Sequence, residues 1–218
     1  RIFMKEKSMV NRAVMPEIRE IKNLVVPAPE VWYLSNGVPV HETNMGTQEI
    51  IKLELVFFAG RPFERKKLVS RSTAALMREG TARYSSSDIA ETLDYYGGTM
   101  STPISLDTAN VLLYSLKKHF GKLLPLVADM LTAPTFPQDE LEPFIERNKR
   151  RLRIELAKND VVAYRHFTEM LFTQAHPYGY NSYPETYAQL TRDDLVAHFQ
   201  ENYTAGNCLI FLSGKIDE

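Results

Sequence analysis

Cysteine is almost absent from these 218 residues: the single Cys208 excludes an intramolecular disulfide and any multi-cysteine zinc site. Charge of one sign is missing as well. Lys and Arg number 26 against 27 Asp and Glu, and the formal net charge of −1 argues for neither nucleic acid nor a membrane surface as partner. No uninterrupted apolar run approaches the roughly 20 residues that span a bilayer, so membrane insertion is not expected. The opening RIFMKEKSMV lacks the apolar stretch of a signal peptide. It begins with arginine, which is compatible with a leader removed or omitted. The compartment stays open, a periplasmic one in a bacterium included. Low-complexity segments, interdomain linkers and internal repeats are also lacking. Histidine is scarce and scattered. His41, His119, His166, His176 and His198 come no closer than ten residues to one another. That excludes every helical site in which imidazoles at i and i+4 hold one ion.

What is present suffices for a folded domain. Hydrophobic residues make up 44% and charged ones 24%, the balance of a globular protein with a buried core. The chain is organised around Lys66–Thr81, KKLVSRSTAALMREGT. Small and apolar residues from Val69 to Met77 read as a helix that neighbours approach closely, with Gly80 as its left-handed C-terminal cap. Residues 1–30, with Pro16, Pro27 and Pro29, read as an irregular arm, and residues 31–218 as one domain.

Within that domain, Val31–Leu34 and Val38–Glu42 flank Ser35-Asn36-Gly37, a hairpin in which Asn-Gly supplies positive φ values. Ile50–Ala59 alternates, a strand with one wet and one dry side. Ser85–Asp88 offers N-caps for a helix that stops at Gly97-Gly98. Thr99–Leu106 and Ala109–Leu116 read as paired strands, and Pro103 argues for an edge position. Helices are expected over Phe120–Thr132, Gln138–Asn159, Val161–Gln174, Pro184–Leu190 and Arg192–Asn202, the last capped by Thr191 with Asp194. Asn207–Ser213 reads as a final apolar strand in which Cys208 is a small core residue rather than a nucleophile. The predicted class is α+β, an antiparallel-rich mixed sheet with helices packed on one face.

Several local patterns occur together and in order: LSNGVPV, VFFAGRPFE, REGT, LDYYGGTMSTPISLDTANV, LLPLVADMLTAPTFPQDELE, ERNKRRLRIEL, HPYG and LTRDDLVAHFQENYTAGNCLIFLSGKID. From Trp32 to Asp217 the chain resembles the N-terminal domain of the M16 metallopeptidases, the pitrilysin, insulinase and mitochondrial-processing-peptidase family. Members usually carry two such domains, so the resemblance implies a first half of a longer protein or of a two-chain assembly. In active members the organising helix bears the zinc motif His-x-x-Glu-His. Counted back from Gly80-Thr81, its positions fall on Arg71, Ala74 and Ala75, and all three ligating or catalytic groups are missing. The family's third ligand is a glutamate on the long helix. Glu155 is the nearest carboxylate in pattern, Arg153 is the other position that the count allows, and a solvated helix-face glutamate is a third reading.

Arg71 sharpens the departure. A guanidinium stays protonated and ligates no cation. Pointed into the old site, at about 4 Å and an effective dielectric near 20, it repels a divalent ion by roughly 8 kcal/mol; alternatively, it reaches solvent. One arrangement to look for is an Arg71–Glu155 pair across the vacated site. By the same resemblance, Ser101, Thr102, Pro103, Ile104 and Ser105 occupy the edge strand on which relatives dock extended peptides. Pro103 removes a donor there, and Ser101 stands where the family commonly has asparagine. A plain, proline-protected edge is the competing reading. The basic run Lys149-Arg150-Arg151-Arg153, interleaved with Glu142, Glu146 and Glu155, reads as a solvated helix face.

The expectation is a catalytically inactive M16-like domain with no metal or catalytic residue of its own. It pairs with a zinc-bearing M16 subunit, or a second M16-like domain, and helps form its peptide-binding chamber. Two alternatives stand beside this: an active zinc endopeptidase with ligands from unexpected places, and a purely structural scaffolding subunit.

Overall fold

Alternation along two long strands sets the layering. The computed structural model describes residues 27–216 together with Met15, Glu17, Ile18, Glu20, Lys22 and Val25. Most of the expected arm, Pro16 included, lies outside the described residues, as does Asp217. In β3 (Ile50–Phe57), Ile51, Leu53, Leu55 and Phe57 are buried while Lys52, Glu54 and Val56 are half-buried. In β5 (Ala109–Leu116), Ala109, Val111, Leu113 and Ser115 are buried, and Tyr114 and Leu116 are exposed. These two strands pair antiparallel, Leu53 opposite Leu113, so their dry residues share one face. Helices cover that face, and their side chains Leu76, Leu123, Met130, Leu141 and Leu195 complete one core with the strands.

The remaining strands are β1 (Glu30–Tyr33), β2 (Pro39–Asn44), β4 (Thr99–Ser101) and β6 (Cys208–Gly214), in the order β1-β2-β6-β3-β5-β4. Only the β2–β6 pairing is parallel. The helices are α1 (Val69–Leu76), α2 (Ser86–Tyr96), α3 (Lys117–Thr132), α4 (Gln138–Glu155), α5 (Asn159–Phe172), α6 (Pro184–Ala188) and α7 (Arg192–Asn202). The α+β architecture with an antiparallel-rich mixed sheet is therefore as expected. Capping boxes start α2 at Ser85 with Asp88 and α7 at Thr191 with Asp194. Among the described residues no helix is long and apolar enough to cross a membrane. Cys208 is buried, and burial pushes its thiol up to about 11, so it packs as a protonated core side chain.

Three local expectations are corrected. The hairpin turn has positive φ only at Gly37, with Leu34 N–H donating to Val38 O and Gly37 N–H to Leu34 O. It is a three-residue loop with a left-handed glycine at its end rather than a two-residue Asn-Gly turn. Gly80 does not cap α1 in the left-handed region; that helix ends on Met77 in right-handed conformation. Gly80 instead lies where the chain after α1 runs beside the α3–α4 connection. A Cβ there would come within 2.9 Å of Thr135 Oγ1 and 3.1 Å of the Pro137 ring, so close approach is what the position demands. The strand expected over Thr99–Leu106 ends at Ser101. Beyond it only Ile104 bridges to Ala109, because Pro103 has no N–H for the ladder. The edge position of β4 stands.

One histidine has a structural task that no spacing argument shows. His198 on α7 is 4% exposed; its Nε2 lies 3.1 Å from Ala59 O, two residues past β3, and Asn202 Nδ2 lies 3.2 Å from its Nδ1. Ser70 Oγ of α1 donates to the same carbonyl. Desolvation lowers the imidazole pKa, although Ala59 O and the Glu201 charge oppose the shift. A folded value below the unfolded one near 6.5 means stability is complete above about pH 6.5. It is lost as pH falls through the folded pKa, where the unfolded chain binds the extra proton. As pH falls below about 6.5, therefore, the unfolding free energy should drop through this group, and the drop should level off once the folded imidazole also takes up its proton. His198→Gln, which keeps a donor and does not titrate, should remove that component. Urea titrations of both proteins across this range measure it, and equal slopes would refute the assignment.

Candidate functional site

Helix α1 is buried nearly all round. Val69, Ser70, Ser72, Thr73, Ala74 and Leu76 are inaccessible, and the hydroxyls of Ser70 and Ser72 are satisfied by the carbonyls of Ala59 and Leu68. Its first residue follows Leu68, held in the left-handed region at φ 70°. The carboxylate of Glu64 braces this start by accepting from Ser70 N–H at 3.1 Å and from Tyr180 Oη at 2.6 Å. Burial raises the Glu64 pKa against those hydrogen bonds. Arg61 lies over the Tyr180 ring, 4.4 Å from its centroid.

One stripe of α1 escapes burial. Arg71 is exposed and Ala75 half-buried, at i and i+4, and the exposed Arg78 continues the line just beyond the helix. They form one wall of a cleft of about 490 Å³. The segment after β4, Thr102–Ile104, forms a second wall, and α4 a third, with Phe144, Arg147, Asn148, Arg151, Leu152 and Glu155. A smaller cleft of about 320 Å³ adjoins it, with Arg71, Ile104 and Ser182 lining both.

The structure thus gathers Arg71, Ala75 and Glu155 on one cavity, together with Thr102, Pro103 and Ile104, although they are scattered in sequence. Ala74 is turned away into the core at 1% exposure. Of the two positions weighed on α4, Glu155 lines the cleft and Arg153 does not. The expected Arg71–Glu155 pair is not formed. Glu155 Oε1 instead accepts from Arg151 Nε at 3.1 Å, one turn back on its own helix, where spacing alone brings the two together. Sequence reasoning passed over Arg78, Glu79, Arg147 and Asn148; the signal was their three- and four-residue spacing from Ala75 and Arg151.

Chemically, this wall does not suit zinc. It offers four guanidinium groups, which donate and never coordinate, and two carboxylates. Glu155 is engaged by Arg151, and burial raises the Glu79 pKa, against the opposing charges of Arg78 and Arg147. No histidine lines the cleft, and among the described residues no group of three or more His, Cys, Asp or Glu side chains is placed to hold a metal. The arrangement suits a ligand that accepts hydrogen bonds and carries negative charge.

Residues 47–186 match the family described as insulinase, peptidase family M16. The chain is similar to the uncharacterized zinc protease YmxG of Bacillus subtilis, with 26% identity over 195 residues that cover 84% of this chain and 46% of the relative. Its fold is similar to that of the peptidase M16 inactive domain from Pseudomonas fluorescens (TM-score 0.81, 24% identity, 87% of this chain and 47% of the other). It is also similar to a protease from Helicobacter pylori (TM-score 0.80, 17% identity, 88% and 48%). This chain spans about half the length of each. On the family match, which covers more than half of its residues, the chain belongs to the insulinase family, peptidase family M16.

Proposed function

We propose that this is a catalytically inactive M16 domain that pairs with a zinc-bearing M16 subunit or a second M16-like domain and contributes a wall to their peptide-binding chamber. The observation that carries the reading is the accessible stripe of α1. Where the family's two imidazoles would stand, Arg71 and Ala75 face the cleft, and the one carboxylate nearest in pattern, Glu155, is already held by Arg151. The likeness to a domain described as inactive supports it. Zinc belongs, on this reading, to the partner, and Ser101–Ser105 at the sheet edge is the stretch along which an extended peptide lies.

The relative called a zinc protease keeps a second reading in view, an active endopeptidase with ligands from elsewhere. Metal analysis of the purified chain, together with cleavage of an unfolded peptide, separates them. The expected result is substoichiometric zinc and no chelator-sensitive turnover. One zinc per chain with turnover that a chelator abolishes would replace the proposal by the second reading. Co-purification of the full-length protein tests the pairing. A companion chain carrying His-x-x-Glu-His is the expected result, and an unrelated membrane complex would favour a scaffolding role.

A further inference from the structure

The cleft beside α1 carries charge that the chain as a whole does not. The protein is close to neutral, with a net charge of −1, yet Arg71, Arg78, Arg147 and Arg151 converge on this cavity against Glu79 and Glu155, an excess of two positive charges. Only one of the four is firmly occupied, Arg151 by Glu155 at 3.1 Å. Arg78 is loosely placed, its Nε 3.9 Å from Glu79 and its Nη1 3.5 Å from Met100 O. Arg71 and Arg147, on facing helices α1 and α4, make no hydrogen bond or ion pair among the described residues. Two guanidinium forks thus look into one cavity with their donors uncommitted. Guanidinium matches carboxylate geometry through two parallel N–H···O bonds.

The surroundings narrow the ligand. The cleft of about 490 Å³ is far larger than a single oxyanion, and a second cleft adjoins it at Arg71, Ile104 and Ser182. Its wall is also apolar in part, with Ile104, Phe144, Leu152 and Tyr187 between the charges. Two glutamates in the same wall disfavour a continuous polyanion, which would bring phosphate against them. An extended chain with intermittent carboxylates and apolar side chains between them satisfies all three conditions. We infer that this groove binds an acidic peptide segment, with Arg71 and Arg147 receiving its carboxylates. The inference rests on the metal-free, peptide-walling reading above and adds the substrate class.

The test is fluorescence anisotropy on the full chain with three labelled ten-residue peptides of one scaffold, bearing glutamate, glutamine or lysine at alternate positions. The glutamate peptide should bind roughly tenfold or more tighter than the glutamine one at low salt, and should weaken as ionic strength rises. Arg71→Gln with Arg147→Gln should erase most of that preference. Arg71→Lys with Arg147→Lys, which keeps the charge, should retain part of it, and Arg153→Gln, outside the cleft, should leave it intact. Equal binding of the glutamate and glutamine peptides would overturn the charge inference while leaving a peptide-binding wall in place. Binding of neither would overturn the inference and count against the chamber role, whereas the metal and cleavage assays judge inactivity on their own. A preference that survives in the Arg71→Gln/Arg147→Gln protein, or a single-stranded oligonucleotide that binds as tightly as the glutamate peptide, would also overturn it.

Discussion

Arg71→His combined with Ala75→His should give this chain a divalent-metal site. The two positions lie at i and i+4 on the only accessible stripe of α1, and both line the cleft. Imidazoles introduced there share one helix face and converge on one ion. The change also deletes one of the four permanent positive charges that oppose a cation in the cleft. Glu155 waits on the opposite wall but is held by Arg151, so adding Arg151→Gln should strengthen the site by releasing it. Zinc affinity measured by calorimetry, or cobalt(II) by its visible absorption, should rise at least about 100-fold over the parent, equivalent to about 2.8 kcal/mol. Position 74 is best left as alanine. It is 1% exposed, and a glutamate there would have to be buried without a partner. A double variant that binds cobalt no better than the parent would show that the stripe does not present its side chains to a common point. The account of the cleft as a displaced metal site would then be wrong.

The second large effect is on stability. Phe136→Ala should cost about 3–5 kcal/mol, the range for deleting a buried aromatic ring. Phe136 sits between α3 and α4 at 2% exposure, its ring edge-on to Phe199 of α7 at 5.8 Å between centroids. Its carbonyl accepts from Arg192 Nε at 3.0 Å, which ties the start of α7 to the same connection. The residue has φ 46°, in the region that L side chains avoid. That makes a comparison available: Phe136→Gly should lose no more than Phe136→Ala, because glycine relieves backbone strain of about 1–2 kcal/mol. Urea unfolding with an unchanged m-value reads both. A loss below about 1 kcal/mol for the alanine variant would mean that this ring does not hold the α3–α4 connection to α7.

How much of this was legible beforehand depends on the range of the interaction. The alternation of Ile50–Phe57, the caps at Ser85 and Thr191 and the stop at Gly97 are local signals, and each appears where the sequence places it. Gly80 misled because a glycine after a helix has two uses, left-handed backbone or close approach, and only the neighbours Thr135 and Pro137 decide which applies. The shortened β4 was foreshadowed by Pro103, whose missing N–H breaks the ladder although β5 runs on to Ala109. Neither the parallel seam between β2 and β6 nor the order of the sheet follows from any local pattern, since the two strands are far apart in the chain.

By itself, the sequence determined the family, the class of fold and the loss of a paired-imidazole motif, because these are written in residue types at short, fixed spacings. Only the tertiary structure decided that Arg71 faces the cavity while Ala74 faces the core, that Glu155 answers to Arg151 rather than to Arg71, and that Arg147 joins Arg71 across a groove. The physical reason is that charge pairing and burial depend on distances in space. Here those distances are set by how α1 and α4, about 70 residues apart in the chain, come to line one cleft, a placement that no helical period contains.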